Sequence, residues 1–298
     1  MSFRSSGEPR PRLTSEEFLL LRDVIYDHAG LSFDGDAMFL FDRRLAERVE
    51  ALSLRSFSDY YKYLRFNVRG PAELDEAIER LTTKETYFFR QEYQLRSFAS
   101  ELLPRLHARN MDSKRVCIWS AGCSTGEEVY TLAMLVRESA LFEDGWEVRI
   151  IGSDICKSNV AFARKGVYQR TSFRVTSEAI MSRYFREESD GMHIVDHVKR
   201  LCHFGQLNLL DAGRASMVGR VDAVFCRNVL IYFDLRSRRR VIDTLLERLL
   251  PGGYLLLGHS ESLLNLSTAF ELVHLREDLV YRKPLITERW DNGGRNEQ

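Results

Sequence analysis

The sequence has 298 residues, 44% hydrophobic and 29% charged, an ordinary balance for a globular protein able to bury a core. Lysine plus arginine equals aspartate plus glutamate at 43 each, so overall charge gives no attraction to nucleic acid or an anionic membrane, and local patches must carry any such argument. The five cysteines are odd in number and widely spaced, so no disulfide framework is implied. No run approaches the ~18 apolar residues of a membrane span, so the expectation is a cytoplasmic protein with reduced thiols and no membrane insertion.

The stretches 1–12 and 285–298 are polar and bear glycine or proline, which predicts unstructured tails. At Thr14 a helix opens with a capping box, Thr14 capping and Glu17 reaching back, and Phe18, Leu21, Val24 and Ile25 then share one face. "DAMFLFDRRLAERVEAL" continues the helical period and "FSDYYKYLRF" supplies a third helix, so 13–70 reads as a small all-helical domain. Gly70 and Pro71 mark a boundary, and a linker over 71–95 holds a helix from Leu74 to Leu81.

From Arg115 the rhythm changes to short apolar runs alternating with helices, the pattern of a parallel sheet with crossovers: "VCIWSA", "EVRIIGSDI", "LCHFGQL", "VDAVFCRNVLIYF" and "GGYLLLGHS". "FELVHL" and "LVYRKP" lie too close for a crossover and predict an antiparallel hairpin at the sheet edge. Parallel strands closed by such a hairpin form the α/β, Rossmann-like layout of S-adenosylmethionine methyltransferases, expected here over 96–284 with a small strand-rich insertion at about 183–204.

"SAGCSTGEE" (120–128) joins the first of these strands to a helix, placing a ligand over the strand's carboxyl end. Gly122 and Gly126 fit neither the dinucleotide fingerprint nor the P-loop. Glu127 and Glu128 would oppose a pyrophosphate at the helix N-terminus, since like charges at ~4 Å cost on the order of a few kcal/mol at a surface-like dielectric. S-adenosylmethionine, with a sulfonium and an ammonium and no phosphate, suits them, although acids in a first turn also complement the helix dipole without any ligand. Asp154 ends the next strand in "GSDI", where an acid can accept ribose hydroxyls.

"TTKETYFFR" (82–90), "WSAGCSTGEE" (119–128), "FCRNVLIYFD" (225–234) and "GHSES" (258–262) together resemble the chemotaxis receptor methyltransferases, the CheR-type family that esterifies glutamates on bacterial chemoreceptors. The resemblance spans about Leu13 to Lys283. It implies cofactor contacts by Lys84, Thr86, Arg90, Gly122, Glu128, Asp154, Asn208, Leu209, Arg227 and Asn228, with Lys84 standing where the family has an asparagine. It also implies methyl-accepting chemotaxis receptors as partners, met through their acidic helical region. A glutamate carboxylate is already anionic at neutral pH, so no general base is required, and Arg90, Arg227 and Tyr232 are the candidate catalytic residues, Tyr232 and Arg227 orienting the substrate while Arg90 closes over the cofactor. "TYFFR" taken alone would also suit a helix with core aromatics, and "RNVLIYF" a strand running into a helix.

Between Arg43 and Arg69, the cations Arg43, Arg44, Arg48, Arg55, Lys62, Arg65 and Arg69 face only three acids, a positive face that suits an acidic substrate helix. His193, His197, Cys202 and His203 match no usual zinc spacing, so no metal is expected. A nucleic-acid methyltransferase is the nearest rival enzyme, but Arg227-Asn228-Val229-Leu230 is not an Asn/Asp-Pro-Pro-Tyr tip and Cys226 follows Phe225 rather than proline. A catalytically silent receptor-binding adaptor is the alternative from another class. A monomer without nucleic acid is expected.

Overall fold

The computed structural model describes residues 11–285, so the expected tails fall almost wholly outside the described residues. In chain order the helices are α1 (Ser15–Ala29), α2 (Met38–Ala51), α3 (Phe57–Phe66), α4 (Gly70–Leu81), α5 (Glu92–Ser97), α6 (Leu103–Arg109), α7 (Glu127–Glu138), α8 (Lys157–Lys165), α9 (Glu178–Tyr184), α10 (Asp196–Lys199), α11 (Ala212–Ala215) and α12 (Leu235–Arg248). The strands are β1 (Arg115–Ala121), β2 (Glu147–Asp154), β3 (Val167–Tyr168), β4 (Phe185–Glu188), β5 (Gly191–Ile194), β6 (Cys202–Gln206), β7 (Val221–Cys226), β8 (Leu249–Leu257), β9 (Glu271–His274) and β10 (Leu279–Arg282).

Helix α1 begins with the expected capping box: the Thr14 hydroxyl accepts from the Glu17 amide and Glu17 accepts from the Thr14 amide. The fourth helix starts at Gly70, earlier than Leu74, because Pro71 fits a first helical turn, where a missing amide proton costs nothing. It packs on α2 and α3 as part of the helical bundle. Within the rest of the expected linker, 82–91 is neither helix nor strand and 92–95 belong to α5, so the aromatics of "TYFFR" do not lie on a helix.

The main sheet runs β6-β2-β1-β7-β8-β10-β9, with β6, β2, β1, β7 and β8 parallel and β10 antiparallel to both its neighbours. After β1 the chain builds outward through β2 to β6, then crosses to β7 on the other side of β1. That reversal opens a crevice over the carboxyl ends of the strands. Side chains alternate along β7: Ala223 and Phe225 join the core beneath α6 and α7, while Val224 and Cys226 join a core continuous with α12 and α1 through α4. The helical bundle thus shares one core with a face of the sheet. It is fastened at the sheet's carboxyl edge by Tyr26 Oη donating to Asp234 at 3.0 Å and by a bridge between Leu31 and Phe233.

The run "VDAVFCRNVLIYF" is strand only to Cys226; Leu230–Tyr232 forms a 3-10 turn. The strand-rich insertion is a three-stranded sheet in the order β3-β5-β4, and it reaches back to Val167, upstream of the expected 183.

Candidate active site

One large cavity opens over the carboxyl ends of β1, β2, β6 and β7. It is lined by the loop after each strand, by the segment 82–90 crossing above them and by Ala29 and Leu31 of the helical domain. Thr86, Arg90, Gly122, Glu128, Asp154, Asn208, Leu209, Arg227, Asn228 and Tyr232 all line it. Lys84 does not. Its ammonium donates to Ser158 Oγ at 3.1 Å, and it borders a separate shallow cleft with Arg43, Arg44 and Arg80. The expectation of a cofactor contact from Lys84 is therefore corrected: its neighbours Thr82, Thr83, Glu85 and Thr86 line the cavity, while Lys84 itself turns outward.

The loop after β1 is built around Asp154. One carboxylate oxygen accepts from the Ser124 amide at 2.8 Å, the other from the Cys156 amide at 2.9 Å and Asn159 at 3.1 Å. The Gly122 and Cys123 amides both donate to the Ser153 carbonyl, and Gly122 at φ +79° allows the turn. A side chain there would also strike Val229 of the facing loop. Burial raises the Asp154 carboxyl against the pull of these donors.

The two adjacent acids part company. Glu128 faces the cavity, accepting from Ser120 Oγ at 2.7 Å and from Arg227 Nη1 at 3.0 Å. Glu127 turns away into the protein, accepting from Thr125 Oγ1 at 2.7 Å and Ser172 Oγ at 3.1 Å, and is not a lining residue. Only one carboxylate of "GEE" can therefore meet a ligand. Burial raises the Glu127 carboxyl above its usual range.

Arg227 corrects another expectation. Its side chain is 2% exposed and its guanidinium donates to Glu128, to the Arg90 carbonyl at 2.5 Å and to Gln91 at 2.9 Å. It ties the crossing segment to the cavity floor, and of its donors Nε is left without a partner in the cavity wall. Arg90 donates to the Glu85 carbonyl at 2.6 Å and lies over the Tyr87 ring, while Tyr232 is 38% exposed at the cavity mouth. The Asn208 amide is occupied at both ends, donating to the His28 carbonyl at 2.7 Å and accepting from the Leu210 amide at 3.0 Å. It fixes the end of α1 against the cavity, so its contribution to a ligand is the shape of the wall.

Glu261 of "GHSES" was given no role from the sequence. Its carboxylate accepts from the amides of Gly258, Asn228, Val229 and Ile231 at 2.7, 2.8, 2.9 and 3.3 Å. That cage holds Asn228 at φ +60° and sets the turn that presents Tyr232. Its neighbour His259 is exposed. The sequence signal was an acid between small polar residues just past a strand tip, which alone does not say what it binds. The crossing segment has its own anchor: Phe88 is fully buried, its ring 4.8 Å from Tyr168, 5.0 Å from Phe173 and 5.1 Å from Phe185 of the insertion region.

His193, His197, Cys202 and His203 are not gathered into a site. Among the described residues the group of metal-capable side chains within reach of one another is Glu188, Asp190 and His193, with His193 paired to Asp190 at 2.6 Å. The expected positive face of the helical domain is also largely consumed internally. Arg48 pairs with buried Glu73 at 2.6 Å, Arg44 donates to the carbonyls of Arg80 and Thr82, and Arg65 lies 3.6 Å from Asp27.

The donor set suits S-adenosylmethionine. Glu128 offers negative charge and Asp154 carboxylate lone pairs, and three buried polar atoms of cavity-lining residues, Ser124 Oγ, Asn159 Oδ1 and Arg227 Nε, have no partner within the protein. Fold and site together define an S-adenosylmethionine-dependent methyltransferase. Residues 84–279 match the family described as CheR methyltransferase, SAM binding domain, and residues 16–82 match CheR methyltransferase, all-alpha domain. The chain belongs to the CheR methyltransferase family. It is 35% identical over 273 residues to chemotaxis protein methyltransferase 2 of Vibrio cholerae, covering 91% of this chain and 94% of that protein. Chemotaxis protein methyltransferase 2 of Pseudomonas aeruginosa is 34% identical, with 88% of this chain and 91% of that protein covered. Among solved structures, the N-methyltransferase NodS of Bradyrhizobium japonicum with S-adenosyl-L-homocysteine is 17% identical. It covers 62% of this chain and 86% of that one at a TM-score of 0.36. Among the described residues no helix is long and apolar enough to cross a membrane.

Proposed function

We propose that this protein transfers the methyl group of S-adenosylmethionine to glutamate side chains on the cytoplasmic domains of bacterial chemoreceptors, forming methyl esters during chemotaxis adaptation. It acts as a cytoplasmic monomer, without nucleic acid. The observation that carries the reading is the division of one cavity into two chemistries. Carboxylates Glu128 and Asp154 stand on its inner wall, while Arg90 and the partly exposed Tyr232 stand toward its mouth. The inner wall favours a cation bearing ribose hydroxyls; the outer groups can receive an anion.

The cofactor supplies a methyl group activated by the positive sulfur. The protein supplies alignment. A glutamate side chain is ionised at neutral pH and needs no base, so Arg90 and Tyr232 have only to hold one carboxylate oxygen in line without quenching it. Thr86, Gly122, Glu128, Asp154, Leu209 and Asn228 form the cofactor wall, with Arg227, Asn208 and Glu261 positioning them.

The test is incubation with methyl-labelled cofactor and purified receptor cytoplasmic domains, followed by mild base. Label carried by the receptor and released as methanol is the expected result. Label that resists base, or that passes to RNA and not to receptor, would overturn the reading.

A further inference from the structure

The docking surface of the helical domain is mostly spent on internal pairs, yet a second positive surface, unremarked in the sequence reading, borders the cavity directly. Helix α12 starts just after cavity-lining Ile231, Tyr232 and Phe233, and its exposed stripe reads Leu235, Arg236, Arg239, Arg240. The opposite face, Val241, Ile242 and Leu245, is fully buried. Arg239 donates to the Asn265 carbonyl at 3.2 Å, which places the stripe beside Leu264, 79% exposed. Leu235 is 53% and Ile231 46% exposed on the same rim.

Arg239 and Arg240 each reach a backbone carbonyl, of Asn265 at 3.2 Å and Leu210 at 3.5 Å, but no acid. The macrodipole makes a cation in the first turn of a helix unfavourable, and Arg236 stands there. Arg236 and Arg240 also stand at i and i+4, a repulsive like-charge spacing. Arg236 makes no hydrogen bond or ion pair with another described residue, and no ion pair joins Arg239 or Arg240 to an acid. Asp234 accepts from the Ser237 amide and the Tyr26 hydroxyl and feels the charge of Arg236, and exposed Asp243 stands four residues after Arg239. Exposed arginines without a salt-bridge partner, interleaved with exposed leucine and isoleucine beside a cavity lined by Arg90 and Tyr232, fit a partner that is acidic and apolar on one face.

We propose that the Leu235–Arg240 stripe of α12, with Ile231 and Leu264, docks the acidic amphipathic helix that carries the acceptor glutamate, resting on the substrate class named under Proposed function. The arginines meet its acids and the apolar rim meets its small apolar side chains. The first six residues of α12 span about 8 Å, short enough for one helix to touch the stripe while it presents a carboxylate to Tyr232.

The experiment compares R236E/R239E with K62E/R69E, a reversal on exposed cations of the helical domain. Steady-state methylation of a receptor domain at low ionic strength should show KM raised about tenfold in R236E/R239E, with kcat and S-adenosylhomocysteine affinity unchanged. The difference should shrink in high salt as screening shortens the reach of the charges. An unchanged KM in R236E/R239E, or an equal rise in K62E/R69E, overturns the proposal. Fluorescence anisotropy with a glutamate-rich amphipathic helical peptide separates the two readings. About tenfold weaker binding to R236E/R239E supports the surface even if no receptor is methylated, whereas unchanged peptide binding, or loss only of RNA binding, rejects it.

Discussion

The molecule contains the same ionic arrangement twice. In the helical domain Arg48 clamps Glu73 through two hydrogen bonds while Tyr60 donates a third. In the cavity Arg227 pairs with Glu128 while Ser120 donates a further bond. The difference lies in closure. Glu73 is 6% exposed and its pair is bidentate; its charge and hydrogen bonds hold the Tyr60 hydroxyl and the Arg48 guanidinium above their ordinary ranges, with burial the leading cause for Tyr60. Glu128 is 18% exposed, its pair is single, and Arg227 Nε has no partner. One arrangement is completed by the fold. The other is left open toward the cavity, where a ligand can offer a cation to Glu128 and an acceptor to Arg227 Nε, so the residue types alone do not separate structure from function.

The largest effect should come from the closed pair. Glu73→Ala leaves the buried Tyr60 phenol without its acceptor and the partly exposed Arg48 guanidinium unpaired, a loss of about 2–3 kcal/mol, which should lower Tm by on the order of 5–10 °C. S-adenosylhomocysteine affinity measured by calorimetry on the folded protein should stay within about twofold. A tenfold loss of affinity would show that the helical domain's pair reaches the cavity and would break the comparison.

Next comes the cage that shapes the mouth. Glu261→Gln replaces an all-acceptor carboxylate with an amide whose NH2 must face backbone donors. Displacing the Asn228–Tyr232 turn by about 1 Å is enough to cost on the order of 100-fold in turnover, so kcat should fall by that order with Glu261→Asp recovering part of it. Turnover near the parent value would mean that the cage is not what positions Tyr232. For the open pair, Glu128→Gln should reduce S-adenosylhomocysteine affinity about tenfold, equivalent to ~1.4 kcal/mol, and cut the Tm rise produced by ligand at about 100-fold the parent Kd to about half. A ligand-induced Tm rise equal to the parent's would make Glu128 as purely structural as Glu73.

Much of this was legible in advance because it is local. Alternating apolar runs give the strands, the short "REDL" gap forces a hairpin, and Thr14 with Glu17 writes its own helix start. Cavity residues that sit at strand tips, such as Gly122, Asp154 and Asn228, follow from the same logic. What was not legible depends on partners distant in sequence. Arg48 reads as a surface cation until Glu73 is brought to it, and Arg227 as a substrate ligand until Gln91 and the Arg90 carbonyl close around it. Strand β3 is two residues long and has no period to detect. Lys84 shares a motif with Thr86 but turns the other way, because Ser158 on α8 offers it an acceptor.

The smallest effect tests the finest division, between two neighbouring glutamates. Burial is the largest influence on Glu127 and raises its carboxyl, outweighing the hydroxyls of Thr125 and Ser172 and the helix N-terminus that favour the charged form. The folded state therefore holds this proton more tightly than the unfolded chain does. That contribution to stability is complete below the ordinary carboxyl range near pH 4 and is lost as pH rises through the raised folded value. Glu127→Gln has no proton to lose and can still bond both hydroxyls, so its Tm relative to the parent should rise between pH 4 and pH 7 by on the order of 2 °C, with S-adenosylhomocysteine affinity unaltered. A difference that runs the other way with pH would mean the ionised form is the favoured one inside the fold. A loss of affinity would put Glu127 back beside Glu128 in the cavity wall.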